Sequence, residues 1–180
     1  MDHIVQRTLS DLTLWHDNYN QGDVEAIQRS IRQFGFNQTI RIHHNTVMAG
    51  NHTVKALQGM MDNQEDAPHG VSLLNGEWVI PCLDISHLSE VEAQAYAIAD
   101  NRTADLAQVD EAQLAILLQQ VKEEDDALMQ ASGYSNTDYE ALLQSLDTPT
   151  PPDSFKVYDE DIETEYCCPK CGYEWSGNPR

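Results

Sequence analysis

The chain has 180 residues, of which 41% are hydrophobic and 22% charged, so it can build a core and is not disordered throughout. Its 30 acidic and 10 basic residues give a net charge of −20, which disfavours unspecific DNA binding, because that binding needs Lys and Arg at the phosphates. No apolar run reaches the roughly 18 residues that cross a bilayer, and the first residues lack the apolar segment of a secretory signal. We therefore expect a cytoplasmic protein without membrane contact.

The first hundred residues alternate between strand patterns and helix patterns. Residues 3–9 predict a strand, and a helix follows that Asp23 caps and Gly35 ends. Further strands are predicted at 39–43, 46–48 and 78–85, and further helices from about 51 and from 89 to about 99. The alternation predicts an α/β (α+β) fold with a small mixed core.

Composition divides the chain into four parts. Residues 1–107 carry the α/β pattern, residues 108–146 predict a helical lobe, residues 147–165 form an acidic, proline-containing linker, and residues 166–180 form an extended cysteine-containing tail. The buried faces of the lobe are predicted from apolar residues at helical spacing: Leu114, Leu117, Leu118 and Val121 on one helix, and Leu142, Leu143 and Leu146 on the last one.

A strand that runs directly into a helix at Gly50 is the first candidate site. The first turn of a helix exposes unpaired N–H groups and a partial positive charge, so it suits a phosphate. Gly50 lets the backbone approach a ligand closely, and Asn51, His52, Thr53 and Lys55 follow it with polar or cationic groups. An ordinary strand–helix turn with a glycine for packing explains the same residues equally well.

The second candidate is Asn101–Arg102, at the predicted end of a helix. Arginine offers a planar fork that holds two phosphate oxygens. Spacing alone favours a structural role, with Asn101 as a left-handed helix cap and Arg102 answering the helix dipole.

Taken in order, the motifs of residues 3–112 resemble the ParB/sulfiredoxin-like superfamily, in particular the single ParB-like domains of bacteriophages and of DNA-modification loci. The S-I-x-x-x-G-x-x-Q-P pattern of that family is matched by Ser30, Ile31, Gly35 and Gln38, with Thr39 in place of the proline. The family's G-x-H-R box resembles residues 50–53, and its later asparagine–arginine segment resembles residues 101–102. The resemblance implies a ParB/sulfiredoxin-like core.

By this resemblance, the matched segments surround a nucleoside triphosphate with Mg²⁺, which is CTP in partition proteins and ATP in sulfiredoxin. The implied nucleotide-binding residues are Gln38, Gly50, Asn51, His52, Thr53, Lys55, Asn101 and Arg102. Two departures matter. Asn51 replaces the cysteine of sulfiredoxin, which makes sulfinic-acid chemistry very unfavourable, and Thr53 replaces the box arginine, so that Lys55 is left to supply part of the lost charge.

Two other activities of the family are weighed against composition. Operator binding requires a basic helical domain, yet residues 108–146 contain one Lys and no Arg. A metal-dependent nuclease needs clustered carboxylates, for which Asp17, Asp23, Asp100 and Asp105 are the nearest candidates, although most acids of so acidic a chain are surface groups.

The tail contains Cys168-Pro-Lys-Cys171-Gly172, which has the form of a zinc knuckle. Tetrahedral Zn²⁺ takes four ligands, so the others must come from Cys167, from Cys82, from a histidine or from a second chain, in which case two tails share one ion. A reduced tail that binds a partner through its aromatic residues is the alternative.

These patterns predict a nucleotide-binding protein of phage or mobile-element DNA metabolism, with nucleotide hydrolysis or phosphotransfer as an open question and a protein partner or a homodimer expected. The alternative is a catalytically inactive acidic protein that binds a host or phage protein, its charge imitating DNA. A metal-dependent nuclease is the third reading. Direct DNA binding is disfavoured.

Overall fold

The structure is a computed structural model that describes residues 4–147 and 165–176. The chain divides into two compact units, Met1–Asp147 and Thr148–Arg180. The predicted linker at residues 147–165 lies almost wholly outside the described residues. Among the helices of the described ranges, none combines the length and the apolar composition that a membrane crossing requires.

The first unit contains a six-stranded mixed sheet, six α-helices and one 3-10 turn at Leu9–Asp11. The strands are β1 (Ile4–Thr8), β2 (Thr13–Leu14), β3 (Ile40–His43), β4 (Thr46–Ala49), β5 (Ser72–Leu74) and β6 (Glu77–Asp84). The helices are α1 (Val24–Phe34), α2 (Asn51–Asp62), α3 (Glu90–Asp105), α4 (Glu111–Glu124), α5 (Asp126–Ala131) and α6 (Asn136–Asp147). The predicted α/β fold is thus confirmed.

The strand order is β1-β6-β3-β4-β2, and β5 pairs with the first part of β6. Pairing is antiparallel for β1 with β6, β3 with β4 and β5 with β6, and parallel for β3 with β6 and β2 with β4. The turn between β3 and β4 uses His44 and Asn45, both with positive φ (48° and 66°), which is the hairpin turn that the sequence predicts at these two residues.

Local capping explains where two helices begin and end. The Asp23 carboxylate accepts the N–H of Ala26 at the start of α1, and Gly35 ends that helix with φ 82°. Ser89 and Glu92 form a capping box at the start of α3. These three signals of the sequence are confirmed.

Hydrophobic residues form a separate layer on each face of the sheet. Neighbouring residues of a strand point to opposite faces, and Val47 and Met48 of β4 belong to different clusters. The cluster around Val47 includes residues of α1 and α2, and the cluster around Met48 includes Ala93 and Ala97 of α3. The sheet therefore lies between α1 and α2 on one face and α3 on the other.

Helices α4, α5 and α6 pack around Leu118, Met129 and Tyr139, and α5 lies against α1. Three leucines of the predicted buried faces are exposed instead: Leu117 to 49%, Leu143 to 38% and Leu146 to 42%. The prediction for them is wrong, because helices of 14, 6 and 12 residues bury one stripe each around a small cluster and leave the flanking positions in solvent.

Candidate functional site

The start of α2 is built for close approach of a ligand to the backbone. Gly50 is the residue before the helix, has φ 96°, and offers no side chain to cap the first turn. A Cβ atom at this position would lie 2.6 Å from Cδ1 of Ile40, so a larger residue would also have to displace the end of that side chain. The N–H groups of the first turn thus keep the partial positive charge of an uncapped helix terminus.

A cleft of about 220 Å³ opens at this terminus. Its lining residues come from α1 and the loop before it, from β4 and the start of α2, and from α3: Asn18, Asn20, Gly22, Ile27, Met48, Gly50, Asn51, His52, Thr53 and Asn101. Five predicted site residues therefore meet here, although α3 lies far from α2 in the sequence. Asn18, Asn20 and Gly22 were not predicted; the polar loop of residues 17–22 was the one sequence signal for them.

Two hydrogen bonds close this loop over the cleft. Nε2 of His52 accepts the backbone N–H of Gly22 at 3.2 Å, and Nδ2 of Asn20 donates to Oδ1 of Asn101 at 3.0 Å. Burial, together with repulsion from Lys55, lowers the pKa of His52, which favours the neutral imidazole that can accept this bond. Because the N–H of Gly22 donates to Nε2, Nε2 is the unprotonated nitrogen of the neutral ring.

The side chain of Asn51 has a structural role and is not available to a ligand. It is 5% exposed, its Oδ1 accepts the N–H of Trp15 at 2.9 Å, and its Nδ2 donates to the carbonyl of Val47 at 2.9 Å. Both polar ends of the amide are therefore used to join the chain after β2 to the start of α2. Only the backbone of Asn51 is left for the cleft.

A second cleft, of about 450 Å³, adjoins the first one and shares Ile27 and Thr53 with it. It is lined by α1 and the segment that follows it: Ile27, Ser30, Ile31, Phe34, Gly35, Phe36, Asn37, Gln38 and Thr53. Nε2 of Gln38 donates to Oγ1 of Thr53 at 3.1 Å. Gln38 and Thr53 thus stand at the boundary between a polar cleft and a larger, partly apolar one.

The two cationic residues of the prediction lie outside both clefts. Lys55 is exposed on α2 and acts on His52 only as a nearby charge. Arg102 is exposed and next to Asn101. Neither cleft has a Lys or Arg side chain in its lining.

The end of α3 differs from its prediction. The helix was expected to stop near Ala99, with Asn101 as a left-handed cap, but it continues to Asp105. Nδ2 of Asn101 donates to the carbonyl of Ala97, and Oγ1 of Thr103 donates to that of Ala99, so both side chains bond within the helix. Consecutive residues of a helix face different directions. Asn101 lines the cleft, whereas the next residue, Arg102, is exposed to solvent.

The four carboxylates considered for a nuclease have other positions. Asp23 caps α1, Asp17 pairs with His16 at 2.9 Å, Asp100 accepts from the Tyr96 hydroxyl at 3.4 Å, and Asp105 is exposed at the end of α3. Within residues 4–147 and 165–176, no group of three or more His, Cys, Asp or Glu side chains is arranged to hold a metal ion.

The second unit contains a two-stranded hairpin, β7 (Tyr166–Cys167) and β8 (Glu174–Trp175). Between the strands, the N–H of Cys168 donates to the carbonyl of Tyr173 at 2.8 Å, and the N–H of Gly172 donates to that of Cys168 at 2.9 Å. Cys168 and Cys171 are free thiols at this turn.

No family model matches the chain, and no curated protein matches its sequence. Among solved structures, the chain is similar to the C-terminally truncated chromosome-partitioning protein ParB from Caulobacter crescentus, in a complex with CTP-gamma-S. The TM-score is 0.58 at 16% sequence identity, over 81% of this chain and 79% of that chain. This likeness shows that the chain has a ParB-like fold.

Proposed function

We propose that the two adjoining clefts bind a nucleoside triphosphate, CTP or ATP, and that the protein acts in the DNA metabolism of a phage or mobile element in the host cytoplasm. The observation that carries the proposal is the uncapped start of α2 at Gly50, which faces a polar cleft. The ParB of similar fold was solved with a CTP analogue, which supports the same ligand class.

The shapes of the clefts support an orientation for the nucleotide. The smaller cleft presents amide groups and the backbone of the first turn of α2, which are donors for phosphate oxygens. The larger one adds Phe34, Phe36 and aliphatic side chains, which suit the faces of a base. Thr53 lines both clefts, so a nucleotide with its phosphates in the smaller cleft and its base in the larger one would pass close to the Thr53 hydroxyl.

Mg²⁺ would arrive with the nucleotide. None of the residues that line the smaller cleft is an Asp or Glu. Mg²⁺ usually keeps several waters and binds through substrate phosphates together with one or two carboxylates, so in this cleft the phosphates and waters alone would be its ligands. The charge of the phosphates would be offset by the helix terminus, by Lys55 and by Arg102 from the edge of the site.

Calorimetric titration with CTP, ATP and GTP plus Mg²⁺ tests the proposal. The variant Arg102→Ala removes the cation beside Asn101, and Arg29→Ala removes the same charge from α1, outside both clefts. We expect saturable binding of one nucleotide that Arg102→Ala weakens by about twofold to fivefold, because an exposed cation beside the cleft acts on the phosphates through solvent and contributes about 1 kcal/mol or less. Arg29→Ala should bind as the wild type does. Absence of binding by all three nucleotides would refute the proposal.

Phosphate release, measured with the nucleotide that binds, decides whether hydrolysis accompanies binding, and formation of the nucleoside diphosphate without free phosphate would indicate phosphotransfer to an acceptor. The acidic interaction protein remains the second candidate, favoured by one observation: neither cleft lining contains a Lys or Arg. It predicts no nucleotide binding, together with salt-sensitive capture of a basic protein partner.

Apart from the nucleotide, we also propose that Cys168 and Cys171 bind Zn²⁺. Both are free thiols at one tight turn, and thiolates at a C-x-x-C turn are typical zinc ligands.

A further inference from the structure

We propose that one Zn²⁺ ion is shared by two copies of the chain, each of which supplies Cys168 and Cys171, so that the metal joins a homodimer. The inference rests on the zinc binding proposed above and is independent of the nucleotide.

The turn between β7 and β8 contains both Cys168 and Cys171. Cys168 and Cys171 are both free thiols on this turn, which the N–H of Gly172 closes by donating to the carbonyl of Cys168 at 2.9 Å. Gly172 has φ 73° and makes the turn that returns the chain to β8.

The other two cysteines do not complete this pair. Cys167 is the last residue of β7 and pairs with Glu174, and adjacent side chains of an extended segment point in opposite directions, away from that of Cys168. Cys82 is fully buried in β6, where burial raises the pKa of its thiol to about 11. Cys82 would have to leave the sheet core before it could reach an ion.

A tetrahedral structural zinc site needs four ligands, and the hairpin offers two. Among the described residues no third His, Cys, Asp or Glu joins this pair. A second copy supplies two thiolates that are chemically identical to the first two, and a two-fold axis through the ion satisfies all four positions with one self-complementary contact.

The hairpin offers a further contact to such a partner. It pairs only two residues on each strand, so its backbone pairing contributes little stability. Its aromatic rings stack, with 5.7 Å between the ring centres of Tyr166 and Trp175 and 6.1 Å between those of Tyr173 and Trp175. Tyr173 nevertheless remains 68% exposed and Tyr166 45% exposed, which leaves apolar ring surface that contact between two hairpins can cover.

Zinc titration of the reduced, metal-free full chain tests the proposal. We expect saturation at about one ion per two chains, doubling of the mass in light scattering on zinc addition, and return to the monomer with EDTA. X-ray absorption should show four sulfur neighbours at about 2.3 Å. The variants Cys168→Ser and Cys171→Ser should lose both zinc and dimer, whereas the matched control Cys167→Ser should keep the wild-type stoichiometry.

Two results would overturn the shared site. One ion per monomer, with two sulfur and two nitrogen or oxygen neighbours, would leave zinc binding intact and place the missing ligands in the same chain. No zinc binding by the reduced chain would refute both zinc proposals. Neither result bears on nucleotide titration, which the Cys168→Ser variant can undergo separately.

Discussion

His52 and Gly22 are joined by a hydrogen bond of 3.2 Å from the backbone N–H of Gly22 to the imidazole of His52. The bond connects the loop before α1 to the first turn of α2, at the mouth of the smaller cleft. Together with the contact between Asn20 and Asn101, it ties three separate segments around one space. A residue that displaces the ring should therefore affect the whole cleft.

The substitution Gly22→Ala tests this closure. A Cβ atom at Gly22 would lie 2.8 Å from Cγ of His52, too close for the ring to stay in place. Since Gly22 does not have a positive φ, alanine fits the backbone and the ring is what must move. We expect nucleotide affinity to fall roughly tenfold, about 1.4 kcal/mol, in a calorimetric titration.

The neighbouring variant Gln21→Ala is the control, since Gln21 is exposed and does not line either cleft. It should bind within about twofold of the wild type. Equal binding by both alanine variants would show that the loop closure plays no part in ligand affinity.

His52 also predicts a dependence of stability on pH. Its pKa is lowered in the folded state from the ordinary value of 6.5, because burial and Lys55 disfavour the imidazolium. The unfolded chain therefore takes up a proton first as the pH falls. The contribution of His52 to the free energy of unfolding should be complete above pH 6.5 and should decline as the pH falls through the lowered folded pKa.

The measurement is an NMR titration of the His52 ring, whose midpoint we expect below 6.5. Urea denaturation measured across the same pH range should show that the free energy of unfolding changes less with pH in His52→Gln, because glutamine does not take up a proton. A midpoint at or above the ordinary value would contradict the prediction.

Asn51 is expected to matter for stability. In Asn51→Ala, the N–H of Trp15 and the carbonyl of Val47 lose the partners that the amide provides. Val47 is fully buried, so its carbonyl lacks a replacement from solvent. We expect the free energy of unfolding in urea to fall by about 1–3 kcal/mol.

Asn63→Ala is the matched control, because Asn63 is an exposed asparagine at the other end of the same helix. It should change stability by no more than about 0.5 kcal/mol. Similar losses in the two variants would mean that the buried bonds of Asn51 are not what stabilises the junction.

The four cysteines should differ in reactivity. At pH 8, an aromatic disulfide reagent should titrate three thiols of the reduced, metal-free native chain, and Cys82 should react only after denaturation. The reason is that Cys82 is buried and its pKa is raised to about 11, which leaves little thiolate. Cys82→Ser should leave the native count at three and lower the denatured count from four to three. Rapid reaction of a fourth thiol in the native chain would show that the β6 core opens.

Local signals account for the parts of the fold that were predicted. Asp23 and Gly35 set the start and the end of α1, because a capping carboxylate and a glycine with positive φ act on backbone groups within one turn of the chain. Gly50 was predicted at the start of α2 for the same reason. Each of these interactions needs only neighbours in sequence, which a pattern can show.

Long-range contacts account for what was not predicted. The bond between Asn20 and Asn101 joins residues on two different elements, and no spacing in the sequence indicates that they meet. The continuation of α3 to Asp105 likewise contradicts a cap signal at Asn101, because the asparagine found a partner inside the helix, the carbonyl of Ala97. Leu117 shows the same limit: its spacing is right for burial, yet it is 49% exposed among the described residues.

The pairing of β1 with β6 bears on how the molecule is made. Ile4 pairs with Leu83, so the first strand of the sheet must wait for the last one to be synthesised. The hairpin of β3 and β4 closes locally and can form early, whereas β1 closes a loop that spans nearly the entire sheet and pays the entropy of that loop. On the ribosome, this unit should therefore remain incomplete until β6 has left the exit tunnel, and fragments that stop before Asp84 should not fold.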